Sequence, residues 1–272
     1  MSSNDYFNAN RLSWDERVAI HAEDETGFYQ VAKVLNGEDK LNAIEAREIG
    51  DIAGLRVAHL QCHFGLDSFC LERRGADVVG LDFSSAAIAK ARELANTMNL
   101  KTRFVEGNVY DARKLLVGDF DLVFVTWGAI NWLPDIAGWA KVVSSLLKPG
   151  GTLYLAESHP ATLCLEWVDG RIVPHYDWRT PIDKPFAVDD AKTYNGSEKE
   201  LRNRRVYEWI HPLSDILNGL NAAGLSLAWL HEHAALTWAL FPNMVEDEDG
   251  LFRLPADYPQ LPLSFSLKAV KR

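Results

Sequence analysis

The spacing of apolar positions gives the chain three textures. Over residues 1–50 it is helical: Trp14, Val18 and His21 share a face, as do Phe28, Val31, Ala32 and Leu35, and Gly37 marks a stop. A second short helix is expected over 41–49. With no strand of its own, this region must pack on the rest of the chain, as a fixed cover or a movable lid. Its Trp14 and Tyr29 are candidates to close over a ligand, the alternative being that they are docking residues.

From Arg56 short apolar runs alternate with helical segments. Strands are expected over 57–60, 78–81, 103–106, 121–126 and 152–156, with helices over 66–74, 85–98 and 136–147 between them. Ser84 caps the second helix, Pro134 precedes the third, and Lys148-Pro149-Gly150-Gly151 ends it. Strands joined by helical crossovers imply a parallel sheet wound on both faces. Residues 158–210 are different, carrying Pro160, Pro174, Pro181 and Pro185 among aromatics that include Trp167, Tyr176 and Trp209. They are expected to form strands and loops over the sheet's C-terminal edge, with Tyr176 among the side chains offered to a ligand there. A helix over 213–223, a strand over 225–233 and a last strand over 263–270 then suggest an antiparallel hairpin closing the sheet. The expected fold class is thus α/β, a Rossmann-like doubly wound sheet, mostly parallel with a C-terminal antiparallel hairpin. Its divisions are a helical cover (1–50), a core (51–157), an insertion (158–210) and a C-terminal part completing the sheet (211–272).

Composition narrows the partners. A chain of 272 residues that is 47% hydrophobic supports a sizeable core, and a formal net charge of -10 argues against a phosphate-tracking surface. A small molecule is expected, and no nucleic acid. Cys62, Cys70 and Cys164 show no paired spacing, which points away from a disulfide framework or a thiolate zinc site. The N-terminus is polar and no apolar run approaches a membrane span. The expectation is a cytoplasmic protein without a membrane partner, as monomer or homodimer.

The chemistry concentrates in 57–84, which reads as strand, turn through Gly65, helix and second strand, with Asp82 where that strand ends. In such a unit the turn and the acid face one crevice, and a carboxylate there accepts hydrogen bonds from both hydroxyls of a ribose. No GxGxxG run is present, which counts against a nicotinamide-type oxidoreductase, the first alternative on this sheet. His59, Cys62 and His63 lack a fourth ligand nearby, and His231 and His233 share one face of a strand; neither group is read as a metal site.

These residues carry a resemblance. The acid after strand two, the Gly-Asn-Val-Tyr-Asp segment at 107–111, Phe120-Asp121, the Leu-Lys-Pro-Gly-Gly turn and the terminal hairpin resemble the class I methyltransferases that use S-adenosylmethionine. HLQCHFGLDS, NWLPD and ESHP are similar to a bacterial small-molecule subgroup. The first motif departs from acid-x-Gly-x-Gly-x-Gly: His59 to Gly65 keeps only the last glycine, so the turn is expected to be less free, and Gln61 and His63 are candidates to replace the missing acid. The resemblance implies S-adenosylmethionine as cofactor, S-adenosylhomocysteine as product and no metal. It places Gln61, Cys62, His63 and Gly65 along the methionine part, Asp82 on the ribose, Phe83 on adenine, and Asn108 and Val109 at the adenine edge. Thr126, Trp127 and Gly128 would lie near the sulfonium. Methyl transfer is an in-line displacement that asks mainly for alignment in a dry pocket. Trp127 and Trp132 are candidates to face the methyl group, Trp132 also the acceptor. His159 and Glu157 are candidate bases if a proton must leave the acceptor; the alternative is that Glu157 positions the cofactor-side loops and His159 only caps the turn before Pro160. A non-catalytic binder of the same cofactor or its product is the second alternative.

Overall fold

The computed structural model describes residues 3–272, so the first two positions of the expected helical region lie outside it. That region contributes α1 (Ser3–Glu23), α2 (Val31–Leu35) and α3 (Ala43–Glu48). The alternating part follows as β1 (Arg56–Leu60), α4 (Leu66–Arg73), β2 (Asp77–Asp82), α5 (Ser85–Thr97) and β3 (Arg103–Glu106). A 3-10 turn and α6 (Ala112–Leu115) lead to β4 (Phe120–Thr126), and a second 3-10 turn leads to α7 (Ile136–Leu146) and β5 (Leu147–Ser158). After α8 (Pro160–Leu163) come two hairpins, β6 (Leu165–Val168) with β7 (Arg171–Pro174) and β8 (Phe186–Asp189) with β9 (Arg205–Glu208). The chain finishes with α9 (Leu213–Ala222), β10 (Leu225–His233), a short ladder of β11 (Val245–Glu246) and β12 (Phe252–Arg253), and β13 (Ser264–Lys271).

Seven strands form one sheet in the order β10-β13-β5-β4-β1-β2-β3. Strands β1 to β5 pair in parallel, while β13 pairs antiparallel with both β5 and β10. The doubly wound sheet and its closing hairpin are therefore as the apolar pattern predicts. Alternation along the strands serves two layers. Ala58, Leu60, Val123, Val125, Leu153 and Leu155 pack under α7 and α9, against Trp139, Val143, Ile216 and Leu220. Val57, Val78, Leu122 and Phe124 face the other way, toward Cys70 and Leu71 of α4.

Two local departures have plain causes. The expected helix around Phe28 begins only at Val31, because Gln30 takes φ 52° and the Asp24 carboxylate accepts the N–H groups of Tyr29 and Val31 (both 2.9 Å). Strand β5 starts at Leu147, not Thr152: Leu147 pairs with Phe120, and the register shifts before Leu122 meets Thr152. The Pro-Gly-Gly run is a bulge within the strand. A Cβ on Gly151 would sit 2.9 Å from the carbonyl oxygens of Lys148 and Phe120, so only glycine passes there.

Helix α1 is bound into the molecule at several points. The Asn10 carboxamide pairs both ways with the Tyr207 backbone (2.8 Å each), the buried Arg17 reaches Asp190 (2.6 Å), and Glu16 accepts the N–H groups of Arg202 and Asn203. Asp15 accepts Ser84 Oγ–H and Ala86 N–H at the start of α5. Helix α1 and the β8–β9 hairpin thus form one cover over the strand tips. Asn10→Ala removes two buried hydrogen bonds and is expected to cost about 2 kcal/mol, a fall in Tm of roughly 4–6 °C in a thermal melt. An unchanged Tm would show that the cover is held elsewhere.

Candidate active site

Helix α4 leaves β1 onto one face of the sheet and α7 leaves β4 onto the other, which opens a crevice at the carboxyl ends of these neighbouring strands. A cavity of about 570 Å³ occupies it. The tips of β1, β2, β4 and β5 form its floor; Trp14 and Arg17 of α1, Tyr29, and Thr193, Tyr194, Glu208 and Trp209 of the later cover form its roof. Every residue placed along the cofactor by resemblance lines this one cavity: Gln61, Cys62, His63, Gly65, Asp82, Phe83, Asn108, Val109, Thr126, Trp127 and Gly128. Trp14, Tyr29, Trp132 and Glu157 line it too.

The turn after β1 takes left-handed backbone angles in spite of its missing glycines. Gln61 has φ 57°, His63 φ 49° and Gly65 φ 86°. The expectation of a less free turn is corrected here: two side-chain-bearing residues adopt the conformation that glycine ordinarily supplies, at a cost of roughly 1–2 kcal/mol each. Asp82 holds His63 there. Its Oδ2 accepts His63 N–H (2.9 Å) while Oδ1 accepts Ser84 N–H (2.9 Å), and the Phe83 N–H adds to these donors. Burial pushes this carboxyl up to about 6 despite those donors. Gly65 is needed on packing grounds as well, since a Cβ would lie 2.6 Å from the Phe104 ring.

Gln61 and His63 each have one side-chain nitrogen engaged within the protein. Gln61 Nε2 donates to the Ala129 carbonyl (2.5 Å), and His63 Nε2 is hydrogen-bonded to His21 Nδ1 (2.9 Å). The acid that lines the cavity beside this turn is Asp67, in the first turn of α4. Burial pushes it up to about 6, and Thr126 Oγ1 donates to it at 3.5 Å. Behind it Glu45 is fully buried; its Oε1 accepts Trp127 Nε1–H (3.0 Å), its Oε2 has no partner among the described residues, and burial pushes it up to about 8. Gln61 Oε1 is likewise buried without a partner among the described residues. An acid in the first turn of a helix reads in sequence as complementing the helix dipole, so neither Asp67 nor Glu45 stood out.

At the neighbouring tip, Glu157 accepts three successive main-chain donors: Gly128 (2.6 Å), Ala129 (2.6 Å) and Ile130 (2.9 Å). Trp127 (φ 50°) and Gly128 (φ 76°) are left-handed in the same loop. Glu157 therefore fixes the loop and is not free to act as a base. His159 is corrected more fully: it does not line the cavity, its Nδ1 accepts Ala161 N–H (3.1 Å) to cap α8, and its Nε2 faces Glu232 (3.0 Å). Tyr176 lies outside the main cavity and lines a smaller one of about 180 Å³ beside it. Asn108 lines the main cavity, but its amide oxygen already accepts Tyr110 N–H (3.0 Å). Of the histidines weighed for metal, His59 bonds Ser68 Oγ inside the core, His231 meets Glu48, and His233 meets Ser266.

The roof holds a polar cluster that no spacing announced. His21 Nε2 bonds Thr193 Oγ1 (2.6 Å), and Tyr29 OH reaches both His21 Nδ1 (3.0 Å) and Tyr194 OH. Burial pushes His21 down to about 2 and His63 to about 3, so both imidazoles are neutral. Trp14 stands edge-on to Trp132 (5.4 Å) and to His63 (5.1 Å). Glu208, at the end of β9, completes this wall; it accepts Asn131 Nδ2–H (3.0 Å), and burial pushes it up to about 7.

A family model described as a methyltransferase domain matches residues 58–153. A magnesium-protoporphyrin O-methyltransferase from Rhodobacter capsulatus is 30% identical over 168 residues, covering 60% of this chain and 72% of that protein. The chain belongs to the class I S-adenosylmethionine-dependent methyltransferase family. A ubiquinone biosynthesis O-methyltransferase from Acinetobacter baumannii is 31% identical over 120 residues, and the match spans only about half of that methyltransferase (49%) and 43% of this chain. A solved S-adenosylmethionine-dependent methyltransferase from Mesorhizobium loti shares the fold, with a TM-score of 0.59 at 21% identity over 87% of this chain and 100% of that one.

Glu157→Gln sets an amide N–H against main-chain N–H donors. It is expected to cost about 2–3 kcal/mol in urea unfolding, and a cost below about 0.5 kcal/mol would show that the 128–130 loop does not depend on this carboxylate.

Proposed function

We propose that the protein transfers a methyl group from S-adenosylmethionine to a small-molecule oxygen or nitrogen acceptor. One observation carries the reading: Asp82 stands at the tip of β2 in the same cavity as the left-handed 61–65 turn and the Glu157-held loop. The acceptor capacity its carboxylate retains suits the ribose hydroxyls, and Phe83 and Val109 flank the space for adenine. Asp67 and the unpartnered Gln61 Oε1 would receive the ammonium of the methionine part, the role expected of Gln61 and His63 together.

Charge favours this reading over the dinucleotide alternative. A pyrophosphate seeks a helix N-terminus free of acids, and here Asp67 lies in the first turn of α4. Asp67, Asp82, Glu157, Asp190 and Glu208 all line the cavity, which favours a cationic guest. When bound, the sulfonium supplies an electrophilic methyl group. The protein's part is then alignment: the 127–130 loop fixes the donor side, Trp14, Trp132 and Tyr29 wall the acceptor side, and the roof partly covers both. Turnover separates this reading from a non-catalytic binder.

Asp82→Ala should weaken S-adenosylhomocysteine binding about tenfold or more in calorimetry, since it removes charge-assisted bonds to the sugar. Unchanged affinity would contradict the assignment. Asp67 and Asp82 are pushed up to about 6 in the ligand-free protein, and their ionised forms are the ones that bind. Affinity is therefore expected to be full at neutral pH and to fall as pH drops through that value, with protons released on binding at pH 6. Binding that strengthens on acidification would argue against both carboxylates.

A further inference from the structure

Asn131, Leu163, Glu208 and Trp209 line both the main cavity and its 180 Å³ neighbour, so they form the sill between the two. We propose that this sill binds the nitrogen of a small amine acceptor, that Glu208 takes its proton, and that the side cavity houses an apolar arm of the same molecule. The inference rests on the methyltransferase reading and names its acceptor class.

The sill is built rigidly. Trp209 N–H donates to the Asn131 carbonyl (2.8 Å), which fastens the end of β9 to the loop after β4. Asn131 Nδ2 donates to Glu208 (3.0 Å), leaving Asn131 Oδ1 buried and without a partner among the described residues. That oxygen lies 3.9 Å from where a Cβ on Gly128 would stand, over the tip of β4. Two acceptors, one amide oxygen and one carboxylate, thus belong to the same sill, the amide oxygen on its Gly128 side. An alcohol carries a single O–H and satisfies one of them, whereas an ammonium carries enough N–H donors for both. Leaving a buried acceptor unpaired is costly, which turns the difference into selectivity. The cations that line the cavity are already paired, Arg17 with Asp190, Lys192 with Glu198 and Lys40 with Glu38. An acidic acceptor would meet carboxylates instead. The side cavity offers Leu165, Phe186, Val188, Leu240 and Phe241 to an apolar arm.

The step balances. The bound ammonium gives one proton to the Glu208 carboxylate, and the nitrogen lone pair so exposed forms the N–CH3 bond. The S–CH3 bond breaks, its electron pair stays on sulfur, and the product is a methylated ammonium. Burial that pushes Glu208 up to about 7 suits it to hold that proton near neutrality; Asp190, Arg17 and Tyr176 are the charged and titratable groups around it.

The test is thermal denaturation of protein saturated with S-adenosylhomocysteine, using matched probes: tryptamine against tryptophol, 2-phenylethylamine against 2-phenylethanol, octylamine against octanol. At least one amine is expected to raise Tm by about 3 °C more than its alcohol. That preference should vanish in Glu208→Gln and shrink in Asn131→Leu, a second variant that keeps the result readable if the first misfolds. Alcohols that match or exceed their amines in every pair, or a preference that survives both substitutions, would overturn the proposal. Failure of S-adenosylhomocysteine itself to stabilise the wild type would instead bring down the methyltransferase reading.

Discussion

Two buried carboxylates hold the crest of the sheet in shape by accepting main-chain N–H groups. Asp82 takes the amide of His63, and Glu157 takes those of Gly128, Ala129 and Ile130. Both loops contain residues with side chains in left-handed backbone angles, Gln61 and His63 in one and Trp127 in the other. Such angles persist only where the surroundings over-determine them. The carboxylates contribute to this from β2 and β5, the outer two of four neighbouring strands, and the bond from Gln61 Nε2 to the Ala129 carbonyl ties the two loops to each other. A ligand that bridges the loops meets a surface already ordered, and little of its binding energy is spent on arranging the protein.

The same carboxylates set the electrostatics. Burial raises Asp67, Asp82, Glu45 and Glu208 above the ordinary carboxylate range, while the roof histidines His21 and His63 are kept neutral. The cavity is thus poor in positive charge and rich in acids that gain by meeting a cation. A sulfonium with an ammonium at its far end is such a partner, and an anionic dinucleotide is not. Neutral His21 and His63 join the cover to the turn after β1: they bond each other, and His21 also bonds Thr193 and Tyr29.

The sheet was legible in the sequence because its strands alternate two buried faces at a period of two, and its helices stop at residues that cannot continue them. Asp82 was legible for the same reason: it is the polar residue that ends an apolar run. What the pattern could not show depends on contacts across long stretches of chain. His21 and His63 are 42 positions apart, and Asn131 and Glu208 are 77 apart. His159 looked chemical because it follows a strand end, yet the Pro160 that begins α8 turns it into a cap. Glu157 looked like a base, but three convergent amides occupy it. The start of β5 was misplaced because glycines signal a break in a helix and a bulge in a strand equally well, and only the pairing with Phe120 decides.

An adenosyl group lying across the tips of β1 and β2, with its sugar on Asp82, is the arrangement on which the functional reading turns. A crystal structure of the complex with S-adenosylhomocysteine tests it most directly. Both ribose hydroxyls are expected within hydrogen-bond distance of the Asp82 carboxylate, with the His63 amide still bonded to it. Nucleoside density anywhere else, or a sugar whose hydroxyls meet no carboxylate, would contradict it.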